Sequence, residues 1–122
     1  MYRKQNESTD VREGPGIHGG DGVITRRGFF RGVSRLPVTF EVWDLEPGVS
    51  EGSHTHGGEH ALEEIYYFLQ GSGVMWVDGE DVPVAAGDAI MVGPGSDHGF
   101  RNTGNETLKV VLLWGMPDPG RQ

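Results

Sequence analysis

Turn signals recur along this chain at intervals too short to leave room for long helices. Glu46-Pro47-Gly48, Gly71-Ser72-Gly73, Asp78-Gly79, Ala86-Gly87-Asp88 and Gly93-Pro94-Gly95 each combine residues that set or permit turn dihedrals. Between them the side chains alternate. Val38, Phe40 and Val42 oppose Thr39, Glu41 and Trp43 with the period of two that marks a half-buried strand. Strands are expected over residues 23–30, 36–45, 49–56, 64–70, 74–77, 81–85, 89–92, 100–102 and 108–114. Asp78-Gly79 is a two-residue hairpin signal. Short strands with regular turns and no helical period predict an all-β sandwich or barrel, not a parallel α/β sheet.

A chain of 122 residues builds one core. Residues 1–22, polar and rich in glycine, read as a flexible arm with little regular structure, 23–116 as the barrel, and 117–122 as a loose tail. His18, isolated between glycines in the arm, reads as an exposed loop residue. The absence of cysteine restricts any metal site to nitrogen and oxygen donors and is compatible with a cytoplasmic location. No apolar run approaches the ~20 residues that cross a bilayer, and the first ten residues lack the apolar core of a secretory signal. A formal charge of -8 argues against nucleic acid, whose affinity depends on neutralising phosphates. Arg26, Arg27 and Arg31 form a short basic cluster that reads as a solvated face or as a grip for a substrate carboxylate.

The chemistry concentrates between Gly48 and Gly71. His54 and His56 lie two apart, so on a strand they share a face with Cα atoms ~7 Å apart and can converge on one ion. Glu63 and Glu64 follow, and His98 lies in a second loop after Gly95. Neutral imidazoles with a carboxylate suit divalent Fe, Mn, Ni, Cu or Zn. Periodicity alone does not choose between Glu63 and Glu64, because both faces of the strand that follows are apolar.

These residues resemble the cupin family, a small jelly-roll barrel also described as a double-stranded β-helix. The family's first motif runs G, five residues, H, one, H, three or four, E, six, G; Gly48, His54, His56, Glu64 and Gly71 match it except that seven residues separate His56 from Glu64. The second runs G, five, P, one, G, two, H, three, N, and Gly87, Gly95, His98 and Asn102 fall on it, with Gly93 in place of proline. The resemblance implies a metal site of His54, His56, Glu64 and His98. The extra residues in the first motif raise His60 as an alternative ligand or proton donor. Tyr66 and Phe68 share the face of Glu64, and Phe100 that of His98, so these aromatics are candidate cavity walls; Tyr66 is also a candidate catalytic residue. Trp43, Trp76 and Trp114 read as sheet-packing or interface residues.

The expected function is that of a metal-dependent enzyme whose substrate, a small anionic oxygen-rich acid or enol, chelates the ion. Dioxygenase chemistry on iron, or decarboxylase, lyase or isomerase chemistry through a stabilised enolate, would both suit such a site. A metal-loaded binding or sensor module is the alternative. A homodimer is expected, with the N-terminal residues available to pair with a partner.

Overall fold

The computed structural model describes residues 1–56 and 61–121. Among the described residues ten strands occur in this order: β1 Val11–Pro15, β2 Val23–Gly28, β3 Val38–Leu45, β4 Ser50–His54, β5 Glu63–Gln70, β6 Ser72–Val77, β7 Glu80–Ala85, β8 Ala89–Val92, β9 His98–Asn102 and β10 Leu108–Gly115. One three-residue 3₁₀ turn, Ile17–Gly19, lies between β1 and β2. The strands form a six-stranded sheet, β1-β2-β3-β10-β5-β8, and a four-stranded sheet, β4-β9-β6-β7. Every pairing is antiparallel. This is the jelly-roll barrel expected from the sequence.

The alternation in β5 and β10 builds the floor of the core. Tyr66 and Phe68 of β5, and Leu108, Val110 and Leu112 of β10, are buried, while Ile65, Tyr67 and Leu69 between them remain exposed. Phe68 and Tyr66 both meet the ring of Phe100 edge-on, with centroids 6.1 and 5.6 Å apart. Each large side chain so buried contributes about 1.5–3 kcal/mol. Asn102 ends β9 by donating to the carbonyls of Leu45 and Glu106, 2.8 Å each, and accepting from the Gly104 amide, which closes the turn before β10.

Residues 1–22 depart from the expected arm. Val11–Pro15 pairs with Val23–Gly28 as an edge hairpin, with Arg12 opposite Arg26. The strand carries no apolar alternation because its inward positions are Arg12 and Gly14, and an ion pair takes the place of apolar packing: Glu41, 1 % exposed on β3, accepts from Arg12 Nη2 at 2.5 Å, from Arg26 Nε at 2.9 Å and from Trp43 Nε1 at 2.7 Å. The chain then turns through Ile17–Gly19 and packs on β4. Gly20 and Gly52 allow that approach, since a Cβ on Gly52 would collide with the His18 carbonyl and one on Gly20 with the Ser50 carbonyl. Residues 117–121 carry no strand and are exposed. Among the described residues no helix is long and apolar enough to cross a membrane.

Candidate metal centre

The two sheets bring four predicted side chains together at one end of the core. His54 comes from the end of β4, His56 from the residues just after it, Glu64 from β5 and His98 from the start of β9. Each offers one donor atom, and all these atoms lie within 4.8 Å of one another. Donors around a single ion at ~2.1 Å sit no more than ~4.2 Å apart, so shifts of a few tenths of an ångström would close the set on a metal. His60 lies outside the described residues. Glu64 is 5 % exposed, whereas Glu63 borders a different surface hollow beside Met116 and Pro117. The alternation of β5 therefore sends the two neighbouring carboxylates to opposite faces.

Two of the imidazoles are oriented by the same device. His54 Nδ1 lies 3.1 Å from the carbonyl of Gly52, and His98 Nδ1 lies 2.9 Å from the carbonyl of Ser96. A carbonyl only accepts, so each Nδ1 carries the proton. For His54 this leaves Nε2 as the free donor, the usual outer-sphere arrangement for a metal-binding histidine. His98 Nε2 and His56 Nε2 pair with the two oxygens of Glu64, at 2.9 and 3.0 Å. Burial works to raise Glu64, but the hydrogen bonds from His98 and Tyr66 outweigh it and hold the carboxyl below its ordinary range. His98 moves the other way: burial opposes its charge, and the bonds to Glu64 and Ser96 prevail and raise it. Burial pushes His54 down to about 4, so it stays neutral and ready to ligate.

Tyr66 joins this cluster to a second buried carboxyl. Its hydroxyl donates to Glu64 Oε2 at 2.5 Å and lies 3.3 Å from Glu51 Oε1. Burial, then the charge of Glu64, pushes Glu51 up to about 8. The phenol has one proton, which the shorter contact commits to Glu64, so the 3.3 Å contact is a full hydrogen bond only when Glu51 is protonated and donates to Tyr66. Burial and the two carboxyls also raise Tyr66 well above the ordinary phenol range, which keeps it protonated.

Sequence reasoning missed four participants. His18, expected as an exposed loop residue, stacks on His54 with ring centroids 3.8 Å apart and planes 8° apart. Glu51 passed as an ordinary strand residue, although it lies three positions before His54 on the same short strand. Trp43 and Trp114, expected to pack the sheets or an interface, also line the cavity of about 140 Å³ bordered by His54, His56 and Glu64, while Trp76 donates to Ser53 Oγ at 2.7 Å outside it. Nothing local in the sequence ties residue 18 to residue 54. Tyr66 lines the same cavity, whereas Phe68 and Phe100, offered as wall candidates, belong to the core beneath it.

Residues 41–114, which hold the whole cluster, match the family described as Cupin domain. The chain is a cupin. Over 72 residues this cupin is 47 % identical to the oxalate-binding protein of Thermotoga maritima, a match that covers 57 % of each chain. It is 33 % identical over 69 residues to the tetracenomycin polyketide synthase protein TcmJ of Streptomyces glaucescens, covering 57 % of this cupin and 44 % of that protein. The matched part thus spans about half the length of these relatives. Among solved structures, a predicted oxalate decarboxylase from Thermotoga maritima superposes with a TM-score of 0.81 at 30 % identity, over 92 % of this cupin and 97 % of that chain. The polyketide cyclase RemF of Streptomyces resistomycificus superposes with a TM-score of 0.77 at 21 % identity, covering 98 % and 82 % of the two chains, and so shares the fold.

Proposed function

We propose that this cupin is a metal-dependent enzyme that acts without redox change on a small organic acid of the oxalate type, by decarboxylase, lyase or isomerase chemistry. The observation that carries this reading is one cavity bordered by His54, His56 and Glu64 of the donor set and by a second carboxyl, Glu51, that is buried beside them. A divalent transition metal held by His54, His56, Glu64 and His98 would supply Lewis acidity toward two ligand oxygens. The names of the Thermotoga relative and of the neighbouring structure support a small dicarboxylate as ligand. A cavity of about 140 Å³ suits a molecule of that size.

The residues of the chain account for the proton. When a carboxyl group leaves as CO₂, the electron pair of the broken C–C bond stays on the adjacent carbon, which must take up one proton. Glu51 holds that proton beside the cluster, gives it up to become a carboxylate, and is recharged from water. Tyr66 fixes the distance between Glu51 and Glu64 and so separates the proton donor from the ligand. The test is turnover of oxalate, malonate, 2-oxo acids and 1,3-diketones by protein loaded separately with Mn(II), Zn(II), Ni(II) and Fe(II). Anaerobic product formation with a redox-inert metal supports the reading; activity confined to iron with oxygen uptake replaces it with a dioxygenase.

The word "binding" in the relative's name favours a second reading, a module that holds a small acid without converting it. Tight binding with no product under any metal would select it. A homodimer is also proposed: Val38, Phe40, Ile65, Tyr67 and Met91 are exposed on the outer surface of the six-stranded sheet, an apolar face suited to a second copy. Light scattering that gives a monomer's mass would exclude it.

A further inference from the structure

We propose that Arg26 is a carboxylate-binding subsite in the wall of the same cavity, one that selects ligands with a carboxylate oxygen turned away from the His/Glu cluster. This rests on the reading of the cavity as the site of a small acid. Three observations carry it.

Arg26 lines the cavity together with His54, His56 and Glu64, unlike its neighbour Arg27, which pairs with Asp44 at 3.0 Å. Strand alternation separates the two: Arg26 shares the face of buried Ile24, and Arg27 takes the opposite one.

The guanidinium is fixed in advance. Its Nε and Nη2 edge docks on Glu41 at 2.9 and 3.1 Å, and its Cζ lies 5.2 Å from the centroid of Trp43, the residue opposite it in the β2–β3 register. Among the described residues Nη1 makes no hydrogen bond, so one edge of the fork is anchored and the other is available. A planar fork held on one side loses little freedom when the other side takes up a carboxylate.

The local charge is also unbalanced. Arg12 and Arg26 share Glu41, while Arg31 bonds Asp10 at 3.0 Å and Arg12 approaches the same Asp10 at 4.0 Å. Three guanidiniums therefore share two carboxylates, and of the three Arg26 is the one that lines the cavity. An anion would complete the set. Arg12 has the same Glu41 partner but does not line the cavity, which makes it the control.

The test is calorimetric binding of oxalate and of oxamate, in which an amide replaces one carboxylate, to manganese-loaded wild type, Arg26→Gln, Arg26→Lys and Arg12→Gln. The preference for oxalate over oxamate should fall at least tenfold in Arg26→Gln, by less in Arg26→Lys, and not at all in Arg12→Gln. If Arg26→Gln does not fold, Arg26→Lys, which keeps the charge on Glu41, decides alone through any loss of preference. An unchanged preference in the folded Arg26 variants, with oxalate still bound, overturns the subsite and leaves the metal-site reading standing. Failure of the wild type to bind either acid overturns both.

Discussion

The ring of His18 lies flat on the ring of His54, 3.8 Å away and 8° from parallel, although His18 lies in the turn between two strands of the six-stranded sheet and His54 ends β4 of the four-stranded sheet. The stack covers one face of a proposed ligand with a side chain that burial and the charge of His56 keep below the ordinary histidine range, hence neutral. Neutral rings stack without repulsion. Removing the upper ring opens that face of His54 to water. His18→Ala should therefore keep its metal content but release the ion to a chelator about tenfold faster, while His18→Phe, which preserves the stack, should stay close to wild type. Equal release from all three proteins would reduce the stack to a packing detail.

The ligand set makes a sharper demand. His54→Ala and His98→Ala should each lose most of the bound metal, measured by elemental analysis of protein purified in parallel, since an incomplete shell binds far more weakly. Glu64→Gln should weaken metal binding, and His60→Ala should leave it unchanged. Were the last two results exchanged, the ligand set would have shifted toward the residues just before β5.

The barrel was legible in the sequence wherever apolar alternation and turn residues coincide, as in β3, β5 and β10. It was not legible in β1. Val11–Pro15 is an edge strand whose inward side chain is Arg12, and an ion pair leaves no apolar period to read. The four clustered side chains could be named because they fall on two fixed spacings, with Gly71 supplying the φ of 86° that the turn after β5 requires. Glu51, His18 and Arg26 could not be assigned to the cavity in that way. Each reaches it through long-range pairing: β4 against β9, the 3₁₀ turn against β4, and β2 against β3. The sequence reading left Arg26 open between a solvated face and a carboxylate grip, and only the location of the core decides which arginine of the pair points inward.

Glu41 joins β1, β2 and β3 through one carboxylate, so its loss should cost more than that of any single partner. Glu41→Gln would leave Arg12 and Arg26, both largely buried, facing each other across the β1–β2 register without the charge between them. Removing one member of a buried pair costs roughly 3–5 kcal/mol, and partial exposure of both arginines reduces this to about 3 kcal/mol. For a domain of this size that corresponds to a fall of ~10 °C in melting temperature. A drop of only one or two degrees by calorimetry would show that the network contributes little to stability.

Glu51 gives the metal-free protein a pH dependence opposite to that of an ordinary paired carboxylate. Its folded pKa is about 8 against an ordinary value of 4.5, because burial and the nearby charge of Glu64 penalise its ionised form. Below pH 4.5 both folded and unfolded chains hold this proton, and Glu51 imposes no penalty. Between 4.5 and 8 the unfolded chain releases the proton while the folded chain keeps it, so stability is lost as pH rises, and above 8 the loss is complete. Its full size is on the order of 5 kcal/mol. His54 acts in the other direction: its folded pKa of about 4 lies below the ordinary 6.5, so its contribution is present above 6.5 and is lost as pH falls toward 4. Glu51→Gln retains the shape and hydrogen bonding of the protonated acid but cannot ionise. Relative to wild type, the apo variant should therefore melt at nearly the same temperature at pH 4.5 and at a progressively higher one up to pH 8, with the His54 limb unchanged in both. A difference between the two melting curves that does not grow with pH would mean that Glu51 is ionised in the folded protein, and the proton source assigned to it would be lost.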